Sequence, residues 1–445
     1  MKTNYYGGET AASNGVGYAL GQASIGTLTL NVNDQMTVTE NSKLIVSGTL
    51  SDENANNLIL ENGAQLVNNS NGVQATVKKG ITAYTQNGGW YLLASPIVEN
   101  ITPSVDNGLL ANNYDLYTFD QSEDLEWRNI EAGAFSTIDN KTGYLYANSG
   151  NPTLSFEGTL SASTSATPLL YDASANLKGF NLIGNPYPCN TYVDRSFYVL
   201  NEDGSDFTLG SNPIPPCSAI LVQAQSANES VTFNKNASKN KPGIAIAVSN
   251  ADTRDNVLVD QARVSFNEKD QLTKYTLSDQ NGKLYIPQNG QDYAVACATG
   301  ETEMPLSFKA VKDGTYTLSF DAEELELGYL HLIDNLTGND VDLLTSPSYT
   351  FEAKTTDYAS RFKLVFNDNN NGPSTGSGAF AYISDGSIII NNAGDALLQI
   401  VDMMGRVVVE GDAINRVSTN ELTPGVYVLR LIDGEMVHTQ KIVVE

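Results

Sequence analysis

Glu421–Glu445 reads ELTPGVYVLRLIDGEMVHTQKIVVE. Two alternating apolar runs fill this stretch, and the last one, Lys441-Ile442-Val443-Val444-Glu445, carries no polar tail. Chain ends fray unless something ties them down, so the terminus reads as the closing strand of a sheet. The same patterning recurs upstream. LTLNV, KLIVSGTL, NLILENGAQLV, AILVQA, YTLSF, RFKLVF and SIIINN alternate or form short apolar bursts between Asn, Asp, Gly and Ser. No long segment carries an i, i+3, i+4 stripe; DAEELELGYLHLID holds one helical turn at most and alternates in its second half. Many short strands with frequent turn signals define an all-β protein of sandwiches or solenoids.

Length and charge bound the rest. At 445 residues the chain exceeds one ordinary core, and two to four domains are expected. A formal charge of −26 repels phosphate backbones and anionic lipid, which argues against nucleic-acid and membrane-surface partners. Apolar residues make up 41%, with 22 Tyr and 14 Phe, so the acidity belongs to a folded surface and not to a disordered polymer. No apolar run is long enough for a transmembrane helix. The opening MKTNYYGGETAASNG lacks the apolar core of a signal peptide, so Met1 is read as supplied for expression, with the native signal peptide absent.

Five pieces are expected. Residues 1–80 carry apolar triplets between Asn and Gly turns, which fit either a β-solenoid, the tail of a longer array, or a strand meander. Residues 81–245 hold an internal echo, NGGWYLLASPIVEN (Asn87–Asn100) and LKGFNLIGNPYPCN (Leu177–Asn190), which predicts a strand and a Pro-fixed turn used twice in related halves. Trp90 and Phe180 are its matching core anchors, and sugar stacking is the minor alternative for Trp90 or Trp127. Residues 246–366 predict a β-sandwich of about seven strands. Residues 367–379 are a polar linker; its Asn367, Asn369, Asn371 and Gly372 imitate a calcium loop, but Gly378 stands where a bidentate Glu belongs. Residues 380–445 form a last small module.

In that module the segments LQIVDMMGRVV, LTPGVYVLRL and the terminal QKIVV resemble, in order and spacing, the C-terminal sorting domain of cargo exported by the type IX (Por) secretion system of Gram-negative bacteria. The resemblance implies a small Greek-key β-sandwich read by an outer-membrane translocon. A surface sortase then removes it, near Asn367–Gly378, and leaves the cargo attached at the outer membrane. It places Gly405 and Arg406 in a hairpin, Pro424 and Gly425 in a tight turn, Tyr427 and Leu429 in the next strand, and Lys441, Ile442, Val443 and Val444 in the last. The upstream modules resemble those of secreted, adhesin-like surface proteins, which implies a route through the periplasm to the cell surface or beyond.

Chemistry is sparse. The two histidines, His331 and His438, lack the company of a nucleophilic triad, and no CxxC or HExxH occurs. Paired carboxylates of a glycosidase remain formally open among 51 acidic residues, yet these sit mostly in turn-like stretches. No catalytic residue, metal or cofactor is expected. Cys189 and Cys217 both follow Pro-rich turns and are expected to pair in an oxidising exterior, with Cys297 unpaired. The expected function is a noncatalytic surface or secreted protein, an adhesin or glycan-binding protein that meets a host or environmental glycan or protein. The alternative is a set of accessory and sorting modules from a larger secreted hydrolase whose catalytic domain lies upstream.

Overall fold

The N-terminal strands stack in parallel ladders. Leu28 lies opposite Leu50 and Leu44 opposite Leu66, each pair 22 positions apart. This computed structural model describes residues 2–5, 16–85, 88–162, 166–201, 204–236, 242–253, 256–267, 270–278, 281–325, 327–368, 381–384, 386–390, 396–412, 414, 416–433 and 436–444. Among them the regular structure is strand, apart from two single 3₁₀ turns at Ile130–Ala132 and Thr419–Glu421. The linker and its calcium-loop imitation lie outside the described residues, save Asn367 and Asp368 at the end of a strand.

Residues 16–80 resolve the choice between solenoid and meander in favour of the solenoid. One parallel stack runs Val16–Ala19, Gln35–Val38, Leu58–Leu60 and Gln74–Gly80, a second Gln22–Ile25, Lys43–Val46 and Gln65–Val67, and a third Leu28–Thr29 and Leu50–Ser51. Each triplet points its outer members inward, so Ala23, Ile25, Leu28, Leu44, Val46, Leu50 and Leu66 form a continuous interior. Buried Asn57 fixes a corner of one coil, its amide donating to the carbonyls of Asn31 and Asp34 in the coil before. Gln74–Gly80 then pairs antiparallel with Thr153–Thr159 of the next module, which covers the last coil.

That next module is a duplication. Trp90–Leu93, Tyr144–Asn148, Tyr114–Phe119 and Trp127–Asn129 form a four-stranded sheet in that spatial order. Phe180–Gly184, Ala219–Gln223, Tyr198–Leu200 and Phe207–Leu209 repeat it, strand for strand. The flanking pair Gln74–Gly80 with Thr153–Thr159 recurs as Ala166–Pro168 with Ser230–Thr232. The echoed turns are built alike, since buried Ser95 accepts from the Ile97 N–H and buried Asn185 from the Tyr187 N–H.

The two halves meet about a pseudo-twofold axis. Leu93 bridges Ser218 as Ile183 bridges Thr142, and these bridges are equivalent because Leu93 pairs with Tyr144 where Ile183 pairs with Ile220. At the axis equivalent residues touch each other. A Cβ on Gly184 would stand 2.7 Å from that of its counterpart Ala94, and one on Gly143 would stand 2.6 Å from that of Ala219. Each pair is therefore one Gly and one Ala, because the axis has room for a single methyl. Phe180 is buried as expected, whereas Trp90 stays partly exposed.

Residues 243–368 form one eleven-stranded sheet, and not the seven-stranded sandwich expected. Its long strands Gly243–Asn250 and Gly314–Glu323, with Val259 of the neighbouring strand Val257–Ser265 as an extra residue opposite Val248/Ser249, let the sheet curl over its own core. Phe351 on the edge strand Ser348–Ala353 thus meets Phe362, which belongs near the opposite edge, with ring centroids 4.9 Å apart. Buried Arg361 lies over both rings and makes a two-pronged bond to buried Asp334 at 2.9 and 2.7 Å. Segment Asp270–Leu277, whose Leu272–Thr273 pairs with Gln291–Cys297 of this sheet, also lies on the second half of the duplicated module.

The last module is a two-sheet sandwich. Ala381–Ser384, Ser387–Ile390 and Arg416–Ser418 face Val407–Asp412, Leu397–Asp402, Gly425–Asp433 and Met436–Val444. Ile388, Ile390, Leu398, Ile400, Leu429 and Leu431 fill the space between.

Candidate sorting surface of the C-terminal module

Alternation in Gly425–Asp433 and Met436–Val444 sends every second side chain into the sandwich, which divides the predicted motif in two. Tyr427, Leu429, Ile442 and Val444 are buried. Arg406, Pro424, Lys441 and Val443 are exposed, Val443 by 52%. Tyr427 is also polar-anchored, its hydroxyl donating to the Thr423 carbonyl at 2.6 Å, so the ring fixes the turn that contains Pro424.

Register then gathers the scattered pieces. Asp402 lies opposite Tyr427, and Tyr427 opposite Ile442; Gly425 lies opposite Val444. The Asp402–Arg406 hairpin, the Pro424–Gly425 turn and the final residues Lys441–Val444 therefore share one end of the four-stranded sheet. Met436–Val444 is its edge strand, so the shared end lies at a margin of the sandwich.

Asp402 holds the hairpin. Its carboxylate accepts from the N–H groups of Met404 and Arg406, both at 2.9 Å, and pairs with the Arg406 guanidinium at 2.8 Å. The Arg406 N–H, helped by the Arg406 side chain and the Met404 N–H, holds the Asp402 carboxyl below its usual range. Gly405 sits at φ 82°, a left-handed position open to glycine at little cost. The tip presents Met403 and Met404, 71% and 80% exposed. Asp402 and Met403 stand inside the quoted motif, yet sequence reading took only the Met404-Gly405-Arg406 hairpin from it; the Asp four residues before Arg was the available signal.

This end presents exposed apolar and cationic groups. Residues 384–445 match the family of secretion system C-terminal sorting domains, and the chain thereby carries a type IX sorting domain. That domain implies interaction with the type IX machinery and export to the cell surface or the medium. No curated protein matches the chain.

Elsewhere the candidates disperse. His331 sits 2.7 Å from Asp340 and stacks on Tyr329, while the His438 side chain lies outside the described residues. Among the described residues no His, Cys, Asp and Glu group is placed to hold a metal ion, and no helix is long and apolar enough to cross a membrane.

The expected Cys189–Cys217 bond is corrected: both are free thiols. Cys217 packs with the solenoid-side core and Cys189 with the core behind the second sheet, so neighbouring turns aim them into different clusters. Burial pushes Cys189 up to about 11 and Cys217 to about 12.

Proposed function

We propose that this chain is a noncatalytic secreted or cell-surface protein, an adhesin or glycan-binding protein, delivered by the type IX route. The observation that carries it is the sorting domain at 384–445, which follows the solenoid, duplicated and curled-sheet modules of this chain. The translocon reads the margin formed by Met403–Arg406, Pro424–Gly425 and Lys441–Val444. The sortase cuts between the curled sheet and the sandwich, within or beside residues 367–379, and leaves the upstream modules at the outer membrane.

The test compares wild type with a chain truncated before Phe380, in a host that has the type IX machinery. Wild type should be surface-bound and lighter by the last module, with the truncated chain held in the periplasm. Arrival of the truncated chain at the surface would overturn the assignment.

A further inference from the structure

The pseudo-twofold axis gives the duplicated module two equivalent aromatic faces, and only one of them is fully buried. By register Trp90, Tyr117 and Leu145 correspond to Phe180, Tyr198 and Leu221. Both ring pairs, Trp90–Tyr117 and Phe180–Tyr198, have centroids 6.4 Å apart.

In the second half Asp270–Leu277 lies across the face. The Thr273 N–H donates to the Gln223 side-chain oxygen at 2.8 Å, the Tyr198 hydroxyl to the Thr273 carbonyl at 2.9 Å, and the Leu277 N–H to Asp206 at 2.7 Å. Tyr275 packs 5.5 Å from Phe180. Beneath this cover Phe180, Tyr198 and Leu221 are 3%, 1% and 0% exposed.

In the first half Trp90, Tyr117 and Leu145 are all partly exposed. Tyr84, 50% exposed, stands edge-on to Trp90 at 5.7 Å and extends the face outward. Of the groups that grip a polypeptide in the other half, the side-chain amide is not repeated, since Ala147 stands where Gln223 does, while Tyr117 keeps the hydroxyl of Tyr198 and Glu126 stands where Asp206 does. The ring has grown from Phe to Trp instead, and a tyrosine has been added. At the rim exposed Asp115 accepts from the Tyr117 hydroxyl at 3.2 Å.

We propose that the Tyr84–Trp90–Tyr117 face binds a neutral glycan. Broad aromatic faces offer apolar area to the C–H side of a sugar ring, while Asp115 and the tyrosine hydroxyls meet its hydroxyl groups. The net charge of −26 repels uronate-rich or sulfated chains, which selects the neutral class. This site rests on the glycan-binding reading above and gives it an address.

The purified chain is titrated calorimetrically with cellohexaose, laminarihexaose and mannohexaose, and with the peptide DQLTKYTL, a copy of Asp270–Leu277. Variants are Tyr84→Ala at the rim and Trp90→Phe, which installs the ring the second half already accommodates. At least one hexasaccharide should bind wild type, with each variant weakening it by roughly tenfold or more. In a Trp127→Phe background, where Trp90 is the remaining tryptophan, the same saccharide should shift the fluorescence. Undiminished saccharide binding in both variants would overturn this site while the glycan-binding reading stands. Binding of the peptide but of no saccharide would overturn it in favour of a polypeptide partner. Binding of neither would overturn both the site and the glycan-binding reading.

Discussion

Replacing Gly184 by Ala tests the pseudo-twofold axis. Its backbone is not left-handed, so the cost is purely steric: the new methyl would meet the Ala94 Cβ at 2.7 Å and the Thr142 carbonyl oxygen at 2.9 Å. Unstrained carbon contacts lie near ~3.5–4.0 Å. Neither obstacle is a flexible side-chain tip, so strands must move, and overpacking of this kind costs about 1–3 kcal/mol. We place Gly184→Ala at the upper end, about 2–3 kcal/mol, because two rigid contacts are violated at once. Ala94→Gly alone should cost about 1 kcal/mol, from backbone entropy and lost packing. The double swap moves the single methyl to the other side of the axis. It should therefore cost less than the sum of the singles, with a coupling of about 1–2 kcal/mol. Both tryptophans of the chain, Trp90 and Trp127, lie in this module, so urea unfolding followed by tryptophan fluorescence reports on it selectively. A Gly184→Ala variant within about 0.5 kcal/mol of wild type, or strict additivity in the double variant, would refute the packing argument.

Three further outcomes are expected. Asp334→Asn takes the two-pronged carboxylate from the buried Arg361 guanidinium, which keeps only the Asp357 carboxylate at 3.8 Å, and should destabilise the curled sheet by about 3 kcal/mol, measured by protease susceptibility in urea. Burial alone would raise the Asp334 carboxyl, but Arg361 and Tyr349 outweigh it and hold it below its ordinary 3.8. The stability from this group is thus complete above pH 3.8 and lost as pH falls below it, and a sheet that loosens already near neutral pH would contradict this. Tyr427→Phe removes the bond to Thr423 and should cost the sorting sandwich about 1 kcal/mol in thermal unfolding, with no change in its core. Of the three thiols only Cys297 should react with a disulfide reagent in the native chain, with Cys189 and Cys217 reacting on unfolding; two of the three protected as a disulfide would restore the discarded pairing.

Strand content was legible because alternation such as that of Tyr427, Leu429 and Leu431 has one physical meaning. The solenoid was only half legible. A burst like Leu58-Ile59-Leu60 suits a coil or a meander equally, and the pairing of Leu28 with Leu50 depends on how far the chain travels between strands. The duplication was visible in its two Pro turns, but the Gly184–Ala94 contact was not, since it joins halves that sequence shows only as separate copies. The strand count of the third module failed on short polar strands such as Asn339–Asp342, which carry no alternation to read. Cys189 and Cys217 misled for a related reason: proximity to similar turns does not fix the direction of a side chain. The sorting motif was legible only as a set of positions, and its division into buried and presented members needed the register.

Fusion of residues 368–445 to a foreign periplasmic protein tests the central claim most directly. In a host with an active type IX system, surface proteolysis and mass spectrometry should find the carrier at the cell surface with the C-terminal sandwich removed. A carrier that stays in the periplasm with the sandwich intact, while native cargo of the same cells is exported, would contradict the account.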